Sequence, residues 1–127
     1  MSPPRILYVE WYKDSEEVMA RLLRENGYEV ITSPTLAESL RLARTEHFDL
    51  CLLSEFTGDD HTGVELCREI RAFDRQTPIL FYSTQAFAAN RIEAINAGAQ
   101  AYLVKPRELD RLNPVIAGLL KDTECGH

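Results

Sequence analysis

Long hydrophobic runs, internal repeats and an excess of basic charge are all missing from this sequence. No apolar run approaches the roughly 20 residues that a membrane-spanning helix needs, and there is no repeat or low-complexity tract. The 14 Lys and Arg residues are outnumbered by 20 Asp and Glu residues, which gives a formal net charge of -6. A nucleic-acid surface needs clustered basic side chains, so the expected partner is a protein, with no nucleic acid and no membrane involved.

Cysteine is also scarce, since the chain has only Cys51, Cys67 and Cys125. An odd number of cysteines, in a chain without an apolar leader, favours a reducing cytoplasmic location over export. Cys51 and Cys67 fall within apolar segments, where thiols usually serve as small core side chains. We therefore expect a cytoplasmic protein in which these two thiols belong to the core.

The length and the pattern of apolar runs predict one domain. A chain of 127 residues suits one domain with its own core and leaves no room for a second. We expect the core to cover residues 5–121 and residues 122–127 to form a flexible tail. The run 49–54 is apolar and bounded by polar residues, which is typical of a strand buried on both faces of a parallel sheet. The predicted strands are 5–10, 28–33, 49–54, 78–83 and 101–104.

Residue pairs with the spacing of a capping box mark three of the predicted helix starts. A fourth helix is predicted over residues 86–97 and is closed by Gly98. Proline cannot occupy a helix interior without losing a hydrogen bond, so the main final helix is predicted to have Asn113 as its cap and Pro114 at its first position. The three capping pairs are Asp14 with Glu17, Thr35 with Glu38, and Thr62 with Glu65.

Strands that alternate with helices predict an α/β fold with a parallel five-stranded sheet and helices on both of its faces. The flavodoxin-like strand order 2-1-3-4-5 fits this pattern, and it brings the carboxyl ends of strands one, three, four and five together. Glu10, Ser54, Ser83 and Lys105 end those four strands. We therefore predict that these side chains converge in one shallow pocket.

Four segments of the chain resemble the receiver domain of two-component response regulators, and the resemblance extends from Arg5 to about Leu120. Residues 6–10 resemble the family's first strand, 49–54 its third, 77–83 its fourth, and 98–106 its fifth, including the pair Lys105-Pro106. Together these segments are a specific signal. The resemblance implies a signalling domain rather than an enzyme.

The resemblance also implies a set of site residues. In the family, an aspartate at the end of strand three takes a phosphoryl group from a kinase phosphohistidine, and two acidic residues after strand one hold a magnesium ion. A hydroxyl residue and a lysine contact the phosphoryl oxygens. Ser83 and Lys105 match these last two positions, Tyr102 matches the family's switch aromatic, and Pro106 is the candidate for a cis peptide bond.

The chain departs from the family at the centre of this site. Ser54 stands at the phospho-acceptor position, and the acidic pair is reduced to Glu10 because Trp11 replaces the second acid. The loop after strand three carries Gly58 in place of the usual proline and is one residue longer. A serine without a neighbouring base is a poor nucleophile. We therefore expect no aspartyl phosphorylation, no catalytic residue, weak or absent Mg²⁺ binding and no other cofactor.

Several local expectations follow from these substitutions. Lys105 has lost the family's usual counter-charge, so an ion pair with Glu10 is predicted. Glu55 is expected to point away from the pocket, because one step along a strand reverses the face of a side chain. Trp11 either covers the pocket or offers a stacking platform to a ligand or partner. Ser54 is expected to be a hydrogen-bonded filler. His47, His61 and His127 are expected to be solvated.

The function predicted from these observations is a degenerate receiver domain that acts as a phosphorylation-independent protein interaction module. The predicted interaction surface surrounds Tyr102, Arg91 and Arg107. Its partner is a histidine kinase, another regulator or a fused output domain, and a homodimer through the face of helix 4, strand 5 and helix 5 is a further option. Two alternatives stay open. One is a switch regulated by phosphorylation of Ser54 or by a small ligand, and the other is a flavodoxin-like enzyme or nucleotide-binding protein. The second is disfavoured because no glycine-rich loop follows strand one.

Overall fold

The computed structural model describes residues 2–125 and contains a five-stranded sheet flanked by five helices. All strand pairs are parallel and the order is β2-β1-β3-β4-β5, which confirms the predicted flavodoxin-like topology. Within the described range no helix is long and apolar enough to cross a membrane. The elements are β1 Arg5–Val9, α1 Lys13–Glu25, β2 Glu29–Ser33, α2 Leu36–Thr45, β3 Leu50–Leu53, α3 Gly63–Arg71, β4 Ile79–Ser83, α4 Ala88–Ala97, β5 Ala101–Val104 and α5 Leu109–Cys125.

Two hydrophobic cores lie on opposite faces of the sheet, because successive strand residues point to opposite sides. Leu53 and Phe81 face the core that α2, α3 and α4 cover. Leu52 and Leu80 face the core that α1 and α5 cover. The central strands β3 and β4 are buried along their whole length, as expected for strands with helices on both sides.

The two thiols predicted for the core are buried and free. Burial raises the pKa of the Cys51 thiol to about 12 and that of the Cys67 thiol to about 11. At neutral pH both groups are therefore uncharged thiols and weak nucleophiles. Their burial confirms the prediction that they are small core side chains.

Two of the three predicted capping pairs are confirmed and one is wrong. The hydroxyls of Thr35 and Thr62 each accept a hydrogen bond, at 3.1 Å, from the backbone N–H three residues later. Asp14 does not cap α1, because the helix already begins at Lys13 with Tyr12 in the N-cap position. The Glu10 carboxylate accepts from the Tyr12 N–H at 3.3 Å. Asp14 lies in the first helical turn, where a carboxylate interacts favourably with the helix dipole.

The start of α4 lies two residues later than predicted, while its end is confirmed. The helix begins at Ala88, with Phe87 as N-cap, and the Asn90 side chain accepts from the Phe87 N–H at 3.2 Å. Gly98 closes the helix with φ at 117°. A side chain is disfavoured in this left-handed conformation, so glycine is suited to this position.

The predicted start of the final helix is wrong, because α5 begins at Leu109 and contains Pro114 in its interior. Leu112 and Ile116 pack into the core on either side of the proline, and this burial keeps the helix continuous despite the missing N–H. Asn113 does not cap the helix, and its Oδ1 is buried without a hydrogen-bond partner among the described residues. Of the tail expected over 122–127, residues up to Cys125 are helical, and Gly126 and His127 lie outside the described range.

Replacing Pro114 with alanine is expected to stabilise the protein by about 2 kcal/mol. A helix-interior proline costs about 3 kcal/mol, and removing it makes the unfolded chain more flexible, which returns up to about 1 kcal/mol. Urea denaturation measures the difference. Gly118→Ala in the same helix is the control, because a methyl group there meets open space and should add about 1 kcal/mol. A gain for Gly118→Ala with none for Pro114→Ala would contradict the assigned cost of the proline.

Candidate functional site

The four residues predicted to converge lie together at the carboxyl edge of the sheet. The register pairs Val9 with Leu53, so the residues that follow them, Glu10 and Ser54, are neighbours. The register also pairs Ser83 with Val104, and the Lys105 N–H donates to the Ser83 carbonyl at 2.8 Å. Glu10, Ser54 and Ser83 are all buried polar residues. Parallel pairing alone therefore assembles the pocket.

Glu10 and Lys105 form the predicted ion pair. The Lys105 Nζ lies 2.6 Å from Glu10 Oε1, and the exposed fractions of the two side chains are 13% and 0%. The Tyr8 hydroxyl donates to the same oxygen at 3.3 Å. Burial, followed by the nearby Glu10 charge, raises the pKa of the Tyr8 phenol above its usual value. The buried carboxylate is thus compensated by a cation and by hydrogen bonds, as a buried charge requires.

The Ser54 hydroxyl lies between two carboxylates. Its Oγ is 3.1 Å from Glu10 Oε2 and 3.1 Å from Glu55 Oε2. A hydroxyl carries one proton, so Ser54 shares a single donor between the two glutamates. This arrangement confirms that Ser54 is hydrogen-bonded within the pocket, and it places two carboxylates and one ammonium around the hydroxyl.

The prediction that Glu55 points away from the pocket is wrong. Strand β3 ends at Leu53, so the alternation of a strand no longer applies at residue 55. The Glu55 carboxylate contacts Ser54, and it also accepts from the Thr84 N–H at 3.2 Å and from the Thr84 hydroxyl at 3.1 Å. Burial alone would raise the pKa of Glu55, but backbone hydrogen bonds, the Lys105 charge and Thr84 outweigh it and lower that pKa.

Ser83 and Tyr102 organise the loop that joins β4 to α4. The Gln85 N–H donates to Ser83 Oγ at 3.0 Å, and the Tyr102 hydroxyl donates to the Gln85 carbonyl at 2.7 Å. The Tyr102 ring is 4% exposed and stacks on Phe81 with 5.8 Å between the ring centroids. Arg91 of α4 donates to the Tyr102 carbonyl at 3.1 Å. Tyr102 therefore points inward.

Trp11 and Pro106 lie at the border of the site. Trp11 is 47% exposed, and its ring meets the Tyr12 ring edge-on at 5.6 Å. Whether it covers the pocket or offers a stacking platform stays a prediction. The Lys105-Pro106 peptide bond is cis, as predicted.

The loop between β3 and α3 contains contacts that sequence patterns did not reveal. A Cβ atom on Gly63 would lie 2.0 Å from the Ser54 carbonyl oxygen, so only glycine fits there. Asp59 accepts from the Leu36 N–H at 2.8 Å and from the Ala37 N–H at 3.3 Å, which caps α2 from a distant loop. The capping pair at Thr62 predicts where α3 begins, but it does not predict that the Ser54 carbonyl packs against Gly63.

The histidines of the described residues lie apart from one another and pair with single carboxylates. His47 is exposed and contacts Asp49 at 3.0 Å, and the partly exposed His61 contacts Glu65 at 2.8 Å. The hydrogen bond to Glu65 raises the pKa of His61. His127 lies outside the described residues. Across residues 2–125, no group of three or more His, Cys, Asp or Glu side chains is arranged to hold a metal ion.

Lys105→Met is expected to lower the free energy of unfolding by about 3–5 kcal/mol, because the Glu10 carboxylate then stays buried without its cation. Removing the charge as well, in the double variant Glu10→Gln/Lys105→Met, should recover much of the loss. The control is Lys13→Met, which removes an exposed pair with Glu17 at 4.0 Å and should cost less than about 0.5 kcal/mol. Equal losses for both lysines in urea denaturation would contradict the role assigned to the buried pair.

Comparison with known proteins places this geometry in a family. Residues 6–117 match the model of the response regulator receiver domain. The transcriptional regulatory protein PrrA of Mycobacterium bovis is 33% identical over 124 residues, which cover 95% of this chain and 52% of PrrA. This chain therefore spans about half the length of such curated relatives.

Solved structures agree with the match. A CheY-like receiver domain protein from Methanospirillum hungatei superposes with a TM-score of 0.91 at 28% identity, covering 99% of this chain and 100% of that one. The receiver domain of a sensor histidine kinase from Pseudomonas aeruginosa, solved with a magnesium ion in its active site cleft, has a TM-score of 0.85 at 26% identity, covering 94% and 99%. By sequence and by fold, this chain belongs to the response regulator receiver domain family.

Proposed function

We propose that this receiver domain works without phosphorylation on aspartate, as a protein interaction module in two-component signalling. The observation that carries the proposal is the environment of Ser54. This residue follows β3, where the family resemblance implies a phosphoryl-accepting aspartate. Its hydroxyl donates instead to Glu10 and Glu55. We assign no catalytic role to any residue and regard the domain as a non-enzyme.

The surroundings of Ser54 argue against phosphoryl transfer to its hydroxyl. A serine becomes a useful nucleophile when a free base takes its proton. Glu10 is paired with Lys105, and Glu55 is hydrogen-bonded by Thr84. A phosphoryl group would add about -1.5 to -2 charges next to two carboxylates. Like-charge repulsion therefore disfavours the alternative of a switch driven by phosphorylation of Ser54.

The same residues are a poor fit for Mg²⁺, so we propose that the ion binds weakly or not at all. Magnesium demands near-octahedral oxygen ligands, usually one or two carboxylates together with substrate oxygens and water. Glu10 is held by the Lys105 ammonium at 2.6 Å, which would have to leave before a cation entered. Trp11 supplies an indole where the family resemblance implies a second acid. No other cofactor is proposed.

The surface proposed for partner binding is formed by α4, β5 and α5. Phe87, the N-cap of α4, is 80% exposed, and Ile92 within α4 is 57% exposed. Exposed apolar side chains of this size are more common at protein interfaces than elsewhere on a surface. Arg91 lies between them in the chain and is fixed by its bond to the Tyr102 carbonyl, and Arg107 is exposed before α5. This mixture of apolar and cationic groups suits a protein partner.

The partner proposed for this surface is a histidine kinase, another regulator or an output domain. PrrA and similar relatives are about twice as long as this chain, so an attached output domain is one of these proposals. A homodimer through α4, β5 and α5 is another. We propose a cytoplasmic location, consistent with the neutral buried thiols of Cys51 and Cys67.

Incubation with Mg²⁺ and acetyl phosphate is expected to leave the protein unlabelled, because Ser54 has no free base and the pocket repels a further anion. Intact mass spectrometry detects a covalent phosphoryl group. Beryllofluoride with Mg²⁺ should produce no saturable change in the fluorescence of Trp11, which is the sole tryptophan of the chain. A Mg²⁺-dependent label on Ser54, or a saturable response, would refute the proposed function.

A matched control restores the acidic residues that the family resemblance implies. The double variant Trp11→Asp/Ser54→Asp keeps Lys105 and Ser83 in place, and we expect it to gain a Mg²⁺-dependent label from acetyl phosphate. A response regulator of known competence, treated in parallel, confirms that the reagent is active. Labelling of the double variant, with none in the native chain, would support the roles assigned to residues 11 and 54.

A further inference from the structure

We propose that Glu55 is a positioning residue whose carboxylate holds the β4–α4 loop, residues 84–87, and thereby fixes Tyr102 and the start of α4 in one conformation. The inference deepens the proposed function, because it names an anion within the chain that can hold this surface without a phosphoryl group. It concerns the same site but rests on different contacts.

The contacts of Glu55 join two loops that are distant in sequence. Its Oε2 accepts from the Thr84 N–H at 3.2 Å, and its Oε1 accepts from the Thr84 hydroxyl at 3.1 Å. The separation between the two residues is 29 positions. Each oxygen of the Glu55 carboxylate thus accepts from one donor of Thr84. Two such bonds fix the orientation of Thr84 as well as attracting it to the charge.

The loop offers little else that would hold it in place. Residues 84–87 are all exposed, so burial of their side chains contributes little. The polar contacts described for Thr84 and Gln85 are the two bonds to Glu55, the bond from the Gln85 N–H to Ser83 and the bond from Tyr102 to the Gln85 carbonyl. The two bonds to Glu55 have a charged acceptor, which makes them stronger than the two bonds between neutral groups.

A continuous series of bonds connects Glu55 to the proposed interaction surface. Thr84 is followed by Gln85, whose carbonyl accepts from the Tyr102 hydroxyl at 2.7 Å. The Tyr102 carbonyl in turn accepts from Arg91 of α4 at 3.1 Å. If the loop moves outward, Tyr102 loses its acceptor, and its buried hydroxyl would then favour an outward rotamer in water. The position of Tyr102 therefore depends on Glu55 through Thr84 and Gln85.

The charge of Glu55 is required as well as its shape. Near neutral pH the carboxylate is ionised, because the Lys105 charge and the donors around it lower its pKa despite partial burial. An amide at this position keeps the size of the side chain but has one oxygen, so it cannot accept through two atoms from Thr84. Glu55→Gln thus removes the charged acceptor with little change in volume and leaves only neutral, weaker hydrogen bonds to Thr84.

The test compares Glu55→Gln with Glu69→Gln, a charge-matched change on the exposed surface of α3. Hydrogen exchange at neutral pH should accelerate about ten- to a hundredfold across residues 84–91 in Glu55→Gln, the range expected for loss of bonds to a charged acceptor. Exchange in β3 should stay unchanged. Equal exchange in the two variants, or acceleration that spreads equally to β3, would overturn the inference.

A spectroscopic measurement reports on Tyr102 directly. With fluorotyrosine incorporated, ¹⁹F NMR should show a second, solvent-exposed resonance for Tyr102 in Glu55→Gln and not in Glu69→Gln. Tyr102→Phe assigns the signal. A purely structural role for Glu55 would lower stability without creating this resonance, so its absence would also overturn the inference. Phosphoryl labelling of the native chain would refute the proposed function, whereas these measurements use protein that has not been treated with a phosphodonor, so they test Glu55 alone.

Discussion

The ion pair between Glu10 and Lys105 is the contact on which the pocket depends. A carboxylate with no exposed surface is costly unless a cation and hydrogen-bond donors compensate it. Lys105 provides the charge at 2.6 Å, and Tyr8, Ser54 and the Tyr12 N–H provide the donors. Tyr8 and Tyr12 lie in or just after β1, whereas Ser54 follows β3 and Lys105 follows β5. The need to compensate one buried charge therefore fixes the relative positions of β1, β3 and β5.

The second carboxylate gives the pocket a different chemical character. Glu10 is neutralised by Lys105, whereas Glu55 adds a further negative charge that the Thr84 donors stabilise. A pocket of this kind is already supplied with an internal anion. Its negative charge disfavours the binding of a phosphoryl group. The anion that bonds to the β4–α4 loop is the Glu55 side chain, which, unlike a bound ligand, cannot dissociate. This view connects the altered residues around Ser54 with the inward position of Tyr102.

Pairing rules predicted more of this molecule than local patterns did. The convergence of Glu10, Ser54, Ser83 and Lys105 follows from strand order alone, so the ion pair could be predicted. The predicted position of Pro114 is wrong because helix propensity disfavours proline inside a helix, whereas the burial of Leu112 and Ile116 outweighs that preference. The predicted capping role of Asp14 is wrong because α1 begins one residue before Asp14, and the Glu10 carboxylate accepts from the Tyr12 N–H at the N-cap. The predicted orientation of Glu55 is wrong because side chains alternate between the two faces only within a strand, and β3 ends at Leu53. No residue pattern in the sequence marks the end of that strand.

The cap that Asp59 provides to α2 has a consequence for how the fold opens. Thr35 satisfies the Glu38 N–H locally, but the Leu36 and Ala37 N–H groups depend on a carboxylate more than 20 residues away. Helix and loop cannot separate without leaving both groups without their protein acceptor. During synthesis α2 lacks these bonds until residue 59 has emerged and folded back. The first turn of α2 and the loop after Ser54 should therefore form and break as one cooperative unit, although more than 20 residues separate them in the chain.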